Sequence, residues 1–243
     1  MRVSEHNKEL YEDLFSKGYH KSHELKVIKM TSLIKGQPKR ILDIGCGDGW
    51  FGAKLKKVFG AEVTGVDILD KALITAKKKG LLTKKFDLSK NNWPLKSNYF
   101  DLIIAGDIIE HVYDTENFIK ECKRLLKKGG QLIISTPNIN SYANRFLLLF
   151  GKMPLYIDFA PNLTSYDFVE PSGHVRVFNN DSLKRLVTHY GLRVDRVIGA
   201  GFQSNNELAP GKFKLLGKLF NGVERFFSHF KRHASIIVMS VIK

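Results

Sequence analysis

Residues 40–49 read RILDIGCGDG, in which a short apolar strand runs into three alternating glycines. The pattern after Gly49 is that of a helix reaching to Phe59. Glycine lacks a Cβ, so a glycine-rich turn between a strand and a helix lets a ligand approach the backbone closely. The segment predicts a nucleotide site, although dinucleotide dehydrogenases use such turns too and the turn alone does not identify the ligand.

Strand and helix patterns alternate on both sides of this turn. Strands are predicted at 62–66, 84–88, 100–105, 131–135, 193–198 and 235–242, and helices at 5–35, 70–79, 116–126 and 181–190. Gly129 and Gly130 are expected to end the third of these helices, and Asp181 to cap the fourth. The alternation predicts parallel βαβ units with right-handed crossovers, and therefore a doubly wound α/β fold.

The composition is that of a folded protein, with 43% hydrophobic and 26% charged residues among 243. No apolar run approaches the roughly 20 residues of a membrane-spanning helix. The two cysteines, Cys46 and Cys122, lie in different segments and suggest neither a disulfide framework nor a thiolate zinc site, so we expect a cytoplasmic protein. The net charge of +15 would attract nucleic acid or anionic lipid, although lysine runs are usually solvated helix faces.

Two aspartates narrow the choice of nucleotide. Asp43, just before the glycines, would repel a pyrophosphate but could engage a cationic amino-acid ligand. Asp67, about 20 residues further on, is placed to bind ribose hydroxyls. Its alternative role is to cap the next helix, for which Asp70 is better placed. The dinucleotide pattern G-x-G-x-x-G is met only when counted from Gly47. These features favour S-adenosylmethionine over a dinucleotide.

Further motifs follow in a characteristic order: GVD at 65–67, FDL at 86–88, FDLI at 100–103, EHV at 110–112 and LLKKGG at 125–130. With the glycine turn, they resemble the class I S-adenosylmethionine-dependent methyltransferases, in particular the small-molecule group that includes ubiquinone-biosynthesis O-methyltransferases. The resemblance covers about residues 38–137 and is weaker elsewhere. It implies a Rossmann-like seven-stranded sheet, mostly parallel with an antiparallel last strand.

The resemblance also implies which residues hold S-adenosylmethionine and its product, S-adenosylhomocysteine. The expected cofactor-binding residues are Asp43, Gly45, Cys46 and Gly47 for the methionine and ribose, Asp67 and Ile68 for the ribose and adenine, Asp87 and Leu88 for the adenine edge, and Asp107 for the methionyl end. The single domain predicted over 1–243 would then divide into a helical lead-in at 1–37, a cofactor-binding core at 38–137, and acceptor-side lid segments at 138–180 and 202–233.

Two histidines are candidates for the chemistry. Methyl transfer needs an aligned acceptor and, for a hydroxyl acceptor, removal of a proton. His111 and His174 could do this work, although His174 could equally be a loop histidine bonded to the backbone. Arg176 could clamp an anionic group or be a surface charge.

A metal site is a further expectation from the resemblance. Asp107, Glu110 and His111 have helix-like spacing, and with His174 they could hold magnesium. The alternative is that Glu110 and His111 are structural, because oxygen-rich magnesium sites prefer more carboxylates.

The segments at 142–156 and 211–233 mix aromatic and basic residues, which suits peripheral contact with an anionic membrane and a small-molecule or lipid-linked acceptor. They could instead cover the sheet or form a homodimer interface. The leading hypothesis is O-methylation of such an acceptor. The alternatives are an RNA methyltransferase of the 2′-O type, a nicotinamide dehydrogenase, and a non-catalytic cofactor-binding protein.

Overall fold

The computed structural model of the protein describes residues 24–157, 172–201 and 221–243. Its strands are β1 Arg40–Ile44, β2 Glu62–Asp67, β3 Leu82–Lys85, β4 Phe100–Gly106, β5 Leu126–Pro137, β6 Arg193–Ala200 and β7 Ile236–Ile242. Its helices are α1 Glu24–Ser32, α2 Trp50–Phe59, α3 Asp70–Lys78, α4 Thr115–Leu125, α5 Tyr142–Leu149 and α6 Asn180–His189, with a 3₁₀ turn at Ile109–His111 and a further helical stretch at 221–227.

The strands form a seven-stranded sheet of order β3-β2-β1-β4-β5-β7-β6. Neighbouring strands from β3 to β5 pair in parallel, and the β7/β6 edge is antiparallel. The predicted doubly wound, Rossmann-like sheet is therefore confirmed. Because the strand order reverses between β1 and β4, the loops that leave the carboxyl ends of these strands flank the crevice where such folds bind ligands.

The chain divides into two compact units. The first unit comprises Leu33–Ser135, Asp181–Arg196 and Met239–Lys243. The second unit comprises Met1–Ser32, Thr136–Asn180 and Val197–Val238, so far as these segments are described. A single domain over 1–243 stays a prediction. No helix within the described ranges combines the length and hydropathy needed to cross a membrane.

The core of the first unit is built on its central strands. Ile41, Leu42, Ile103 and Ile104 have no exposed surface, as expected for parallel strands covered on both faces. Helix α4 contributes its apolar face, in which Phe118 and three other residues, Ile119, Cys122 and Leu125, are buried. This rigid centre holds the β1 and β4 loops in place.

The second unit is organised around a buried carboxylate. Glu224, 3% exposed, accepts hydrogen bonds from the Tyr142 hydroxyl at 2.8 Å and the Ser235 hydroxyl at 2.8 Å. The Asn138 side-chain amide donates to the Ala234 carbonyl at 2.8 Å. A buried charge is tolerated only when it is well bonded, so these contacts fix the first turn of α5 against the stretch that leads into β7.

Several sequence expectations differ from the structure in detail. β3 ends at Lys85, so Asp87 and Leu88 lie in the turn after the strand rather than within it. Helix α4 ends at Leu125, because Leu126 is extended, and Gly129 and Gly130 lie inside β5 instead of ending the helix.

Helix α6 begins at Asn180, one residue earlier than predicted. Asp181 therefore lies in its first turn and is not its cap. Residues 1–23, 158–171 and 202–220 lie outside the described residues, and they include part of the helix predicted at 5–35 and parts of the lid segments predicted at 138–180 and 202–233.

Candidate active site

The turn after β1 has a backbone conformation that favours glycine. Gly45, Gly47 and Gly49 have φ values of 69°, 53° and 76°, in the left-handed region that side chains rarely adopt. A Cβ on Gly45 would lie 2.7 Å from the Cδ1 atom of Ile108, which follows β4. The turn therefore packs directly against the other loop that flanks the crevice.

The backbone N–H groups of this turn are already bonded within the protein. Gly45 and Cys46 both donate to the Val66 carbonyl, at 2.8 and 3.0 Å, and Gly47 donates to Asp67 Oδ2 at 2.9 Å. A site for the pyrophosphate of a dinucleotide needs such N–H groups to face the ligand. The turn is thus locked to the end of β2 and leaves these three donors unavailable for phosphate.

Carboxylates surround the turn. Asp43 is 4% exposed, and its Oδ2 atom has no hydrogen-bond partner within the described part of the chain. Burial, reinforced by the nearby charge of Asp67, raises the pKa of Asp43 to about 7, against an opposing hydrogen bond from the Gly52 backbone. Burial also raises the pKa of Asp67. This acidic surrounding suits a cationic ligand and disfavours an anionic one.

Asp67 connects the turn to the next helix. Besides Gly47, its carboxylate accepts the N–H of Leu69 at 3.0 Å, immediately before α3 begins at Asp70. The predicted cap at Asp70 is wrong, because no side chain caps this helix. Asp67 therefore bonds to the turn after β1 and to the residue before α3 without capping that helix, and its role as ribose ligand stays a prediction, as does the role of the neighbouring half-buried Ile68.

Cys46 contributes packing to the turn. Its side chain is 8% exposed, and a Cβ on Gly65 of β2 would lie 2.7 Å from the Cys46 sulfur. Burial raises the pKa of the Cys46 thiol far above its usual range, so the side chain stays a neutral thiol.

The residues predicted to contact the adenine lie in a turn after β3 that hydrogen bonds hold in place. Asp87 Oδ1 accepts the Ser89 N–H at 2.8 Å, and the Leu88 carbonyl accepts the Trp93 indole N–H at 3.3 Å. Trp93 is 3% exposed, and its own backbone N–H donates to Glu121 of α4 at 2.9 Å. The role of Trp93 in holding this turn was not predicted from the sequence. The Trp93-Pro94 pair in a polar loop is the feature from which it could have been predicted.

The loop after β4 is held in a strained conformation. Asp107 has a φ of 52°, which is uncommon outside glycine. Its backbone N–H donates to the Ser135 carbonyl at 3.0 Å, and the Ser135 hydroxyl donates to Asp107 Oδ1 at 2.7 Å. The 3₁₀ turn then places Glu110, 1% exposed, beside the half-buried His111. Such support for strained backbone is common at functional sites.

His174 belongs to the second unit. Its Nδ1 atom lies 2.9 Å from the carbonyl oxygen of Tyr156. A carbonyl oxygen can only accept a hydrogen bond, so Nδ1 is the donor in this contact. Tyr156 itself has a φ of 62°. The neighbouring Arg176 is exposed and donates to the Val175 carbonyl at 3.2 Å, which fits a surface charge.

The predicted metal ligands are divided between the units. Asp107, Glu110 and His111 lie in the first unit and His174 lies in the second. Within the first unit they share one short loop after β4, where Asp107 is already bonded to Ser135. Two carboxylates and two imidazoles offer fewer oxygen ligands than magnesium sites usually have.

Comparison with known proteins decides the family. The methyltransferase-domain family matches residues 20–197 of the chain. The chain belongs to the class I S-adenosylmethionine-dependent methyltransferases. A methyltransferase from Pelagibacter ubique, named ubiquinone biosynthesis O-methyltransferase, is 32% identical over 177 residues, which cover 69% of this chain and 72% of that protein. One of the same name from Coxiella burnetii is 34% identical over 130 residues, which cover 51% of this methyltransferase and only 54% of the relative.

Solved structures show the same methyltransferase fold. One from Thermotoga maritima, described as an S-adenosylmethionine-dependent methyltransferase and possible histamine N-methyltransferase, has a TM-score of 0.66 and 21% identity, covering 97% of each chain. Another, from Archaeoglobus fulgidus, has a TM-score of 0.62 and 20% identity, covering 96% of this methyltransferase and 100% of that chain. At these identities the likeness concerns the fold.

Proposed function

We propose that the protein transfers the methyl group of S-adenosylmethionine to a hydroxyl group of a small or lipid-linked acceptor. One observation carries the choice of cofactor: the N–H groups of the glycine turn are bonded to β2 while buried carboxylates surround the turn. Such a site suits a cationic sulfonium nucleotide better than a pyrophosphate. The names of the Pelagibacter and Coxiella relatives support oxygen as the methylated atom.

The first unit would hold the cofactor. Asp67 would accept hydrogen bonds from the ribose hydroxyls, as acids at the end of a second strand do in this type of fold. Asp43 would face the positively charged methionyl end, because its Oδ2 atom is buried and has no hydrogen-bond partner among the residues that the structure describes. The turn that contains Asp87 and Leu88 would contact the adenine. Asp107 would contact the methionyl end of the cofactor.

The chemistry requires one proton acceptor. When bound, S-adenosylmethionine supplies an electrophilic methyl group and leaves as the neutral sulfide. His174 is the proposed base, because the bond from its Nδ1 to the Tyr156 carbonyl fixes the ring and an imidazole can accept a proton near neutral pH. His111, next to the cofactor loop, would orient the acceptor hydroxyl. The acceptor oxygen then forms its bond to the methyl carbon as the carbon–sulfur bond breaks.

Magnesium binding by Asp107, Glu110, His111 and His174 stays a prediction. A donor set of two carboxylates and two imidazoles fits magnesium poorly, so the transfer proposed above relies on a histidine base. Treatment with a chelator followed by titration of magnesium into the protein, with bound metal measured directly, tests the prediction. Stoichiometric binding that Glu110→Gln abolishes would support it.

Transfer of labelled methyl groups to fractionated cell extracts tests the proposed function. We expect label in an alkali-stable ether of the organic-soluble or small-molecule fraction. His174→Asn and His111→Asn should each lower turnover about 100-fold or more, in the range typical of general acid–base groups, while cofactor affinity is kept. His189→Asn, an exposed histidine on α6, is the matched control. Label in RNA instead would overturn the proposed acceptor, and undiminished turnover would remove both histidines from the chemistry.

A lipid-linked acceptor would be met at a membrane surface. Contact between the protein and anionic lipid is therefore part of the same proposal, supported by the basic composition of the chain.

A further inference from the structure

Helix α5 exposes apolar side chains that a helix of this kind would normally bury. Within the helix, Phe146 is 63% exposed, Leu149 is 78% exposed and Leu148 is also exposed. Directly after it, Phe150 is 63% exposed, and Met153 is exposed too. The helix is held instead by its first turn, where the Ser141 hydroxyl caps it. Monomeric proteins seldom expose contiguous apolar surface without a function.

A second apolar cluster is connected to α5 through ring contacts. Phe226 is 60% exposed and Phe230 48%. Phe226 packs on Phe227 with ring centroids 5.3 Å apart, and Phe227 stacks on Tyr142 of α5 at 4.2 Å. Tyr142 and Phe146 are four residues apart and so share a helix face. Both clusters lie in the second unit and form what we call the aromatic-basic surface.

In the described segments that carry these residues, the exposed charges have one sign. In the described residues 136–157, 172–180 and 221–238, the exposed charged side chains are basic: Arg145, Lys152, Arg176, Arg225, Lys231 and Arg232. The carboxylate within these ranges, Glu224, is buried and bonded to Tyr142 and Ser235. Exposed aromatic and aliphatic side chains, together with exposed basic side chains in the same segments, match the interface of an anionic bilayer.

We propose that the aromatic-basic surface docks on anionic lipid. This deepens the proposed function by naming the surface that would bring the protein to a lipid-linked acceptor. A second copy of the chain is a poorer occupant, because a symmetric contact would place like charges against each other. Nucleic acid is also poorer, since aliphatic Leu149 and Met153 have no stacking role with bases.

Vesicle flotation of the full chain tests the proposal. The vesicles contain phosphatidylcholine alone or equal parts of phosphatidylcholine and phosphatidylglycerol. We expect the native chain to float with the second kind and less so at high salt. The Leu149→Gln/Phe150→Gln variant should bind at least roughly tenfold more weakly, since each side chain contributes through the apolar area that it buries. Ile74→Gln, which changes a comparably exposed residue of α3 at 58%, should float like the native chain.

Binding of S-adenosylhomocysteine is measured on the same samples. Because the proposed cofactor residues lie in the first unit, the double variant should bind this ligand like the native chain, so a loss of flotation does not depend on cofactor binding. Three results would overturn the docking proposal: equal flotation with both kinds of vesicle, native-like flotation of the double variant, or a native dimer that the double variant converts to monomer.

Discussion

Cofactor binding should depend on the ionisation of Asp43. The Asp43 carboxyl is buried, its Oδ2 atom lacks a partner among the described residues, and its pKa is raised to about 7 chiefly by that burial. If the carboxylate faces the ammonium group of the methionyl end, only the ionised form binds well. Affinity should then rise with pH up to about 7 and be level above it.

The size of the effect follows from this pKa. When the pH is lowered from about 8 to about 5.5, the ionised fraction of Asp43 falls roughly 30-fold. Because only the ionised form binds well, the apparent affinity for the cofactor should weaken by the same factor. An asparagine side chain cannot ionise, so the Asp43→Asn variant should bind weakly at both pH values and lose most of the slope. The mutation preserves the shape of the side chain, which limits other effects on the turn.

Calorimetric titration with S-adenosylhomocysteine measures this slope, because the product keeps the ammonium group and lacks the sulfonium charge. 5′-Methylthioadenosine is the matched ligand control, since it has the adenine and ribose but no amino-acid portion. It should bind with little pH dependence, and any slope that remains reports Asp67, whose pKa is also raised by burial.

Two results would refute the reasoning. An unchanged slope in Asp43→Asn would show that another group titrates. Equal slopes for S-adenosylhomocysteine and 5′-methylthioadenosine would show that Asp43 does not face the ammonium group.

Three further predictions concern stability. The raised pKa of Asp43 means that folding favours its protonated form, so this group should lower the unfolding free energy of the unliganded protein by roughly 3 kcal/mol as pH rises from about 4 to about 7; the difference between the native chain and Asp43→Asn in denaturant titrations measures this contribution. Gly45→Ala should lower the melting temperature and weaken S-adenosylhomocysteine binding, because alanine is strained at a φ of 69° and its Cβ would meet Ile108 at 2.7 Å; a native-like variant would contradict this. Tyr142→Phe should cost about 1–3 kcal/mol in denaturant unfolding by removing a donor from buried Glu224, and an unchanged midpoint would show that the hydroxyl bond is not needed.

The sequence was sufficient to predict the elements that depend on local pattern. β1, its glycine turn and β2 follow from apolar runs and glycine spacing, and the parallel order follows from the helices between them. The positions of Asp43 and Asp67 at strand ends followed as well, because they depend on the same register. These features locate the crevice.

Features set by long-range pairing could not be predicted in this way. Gly129 resembles a helix terminator, yet its N–H donates to the Lys243 carbonyl at 3.0 Å across the sheet, so it lies within β5. The bonds from Gly45 and Cys46 to Val66 depend on the β1–β2 register, which places Ile44 opposite Val66. The exposed face of α5 likewise depends on which of its residues the rest of the second unit covers.

The most direct test of the cofactor site is calorimetric titration with S-adenosylmethionine, S-adenosylhomocysteine and NAD. It compares the native chain with Asp67→Ala and with Asp70→Ala, an exposed acid on the first turn of α3. Micromolar binding of the first two ligands by the native chain and Asp70→Ala, weakened at least tenfold in Asp67→Ala, is the predicted result. Binding of NAD alone, or equal affinity in Asp67→Ala, would contradict the proposed site.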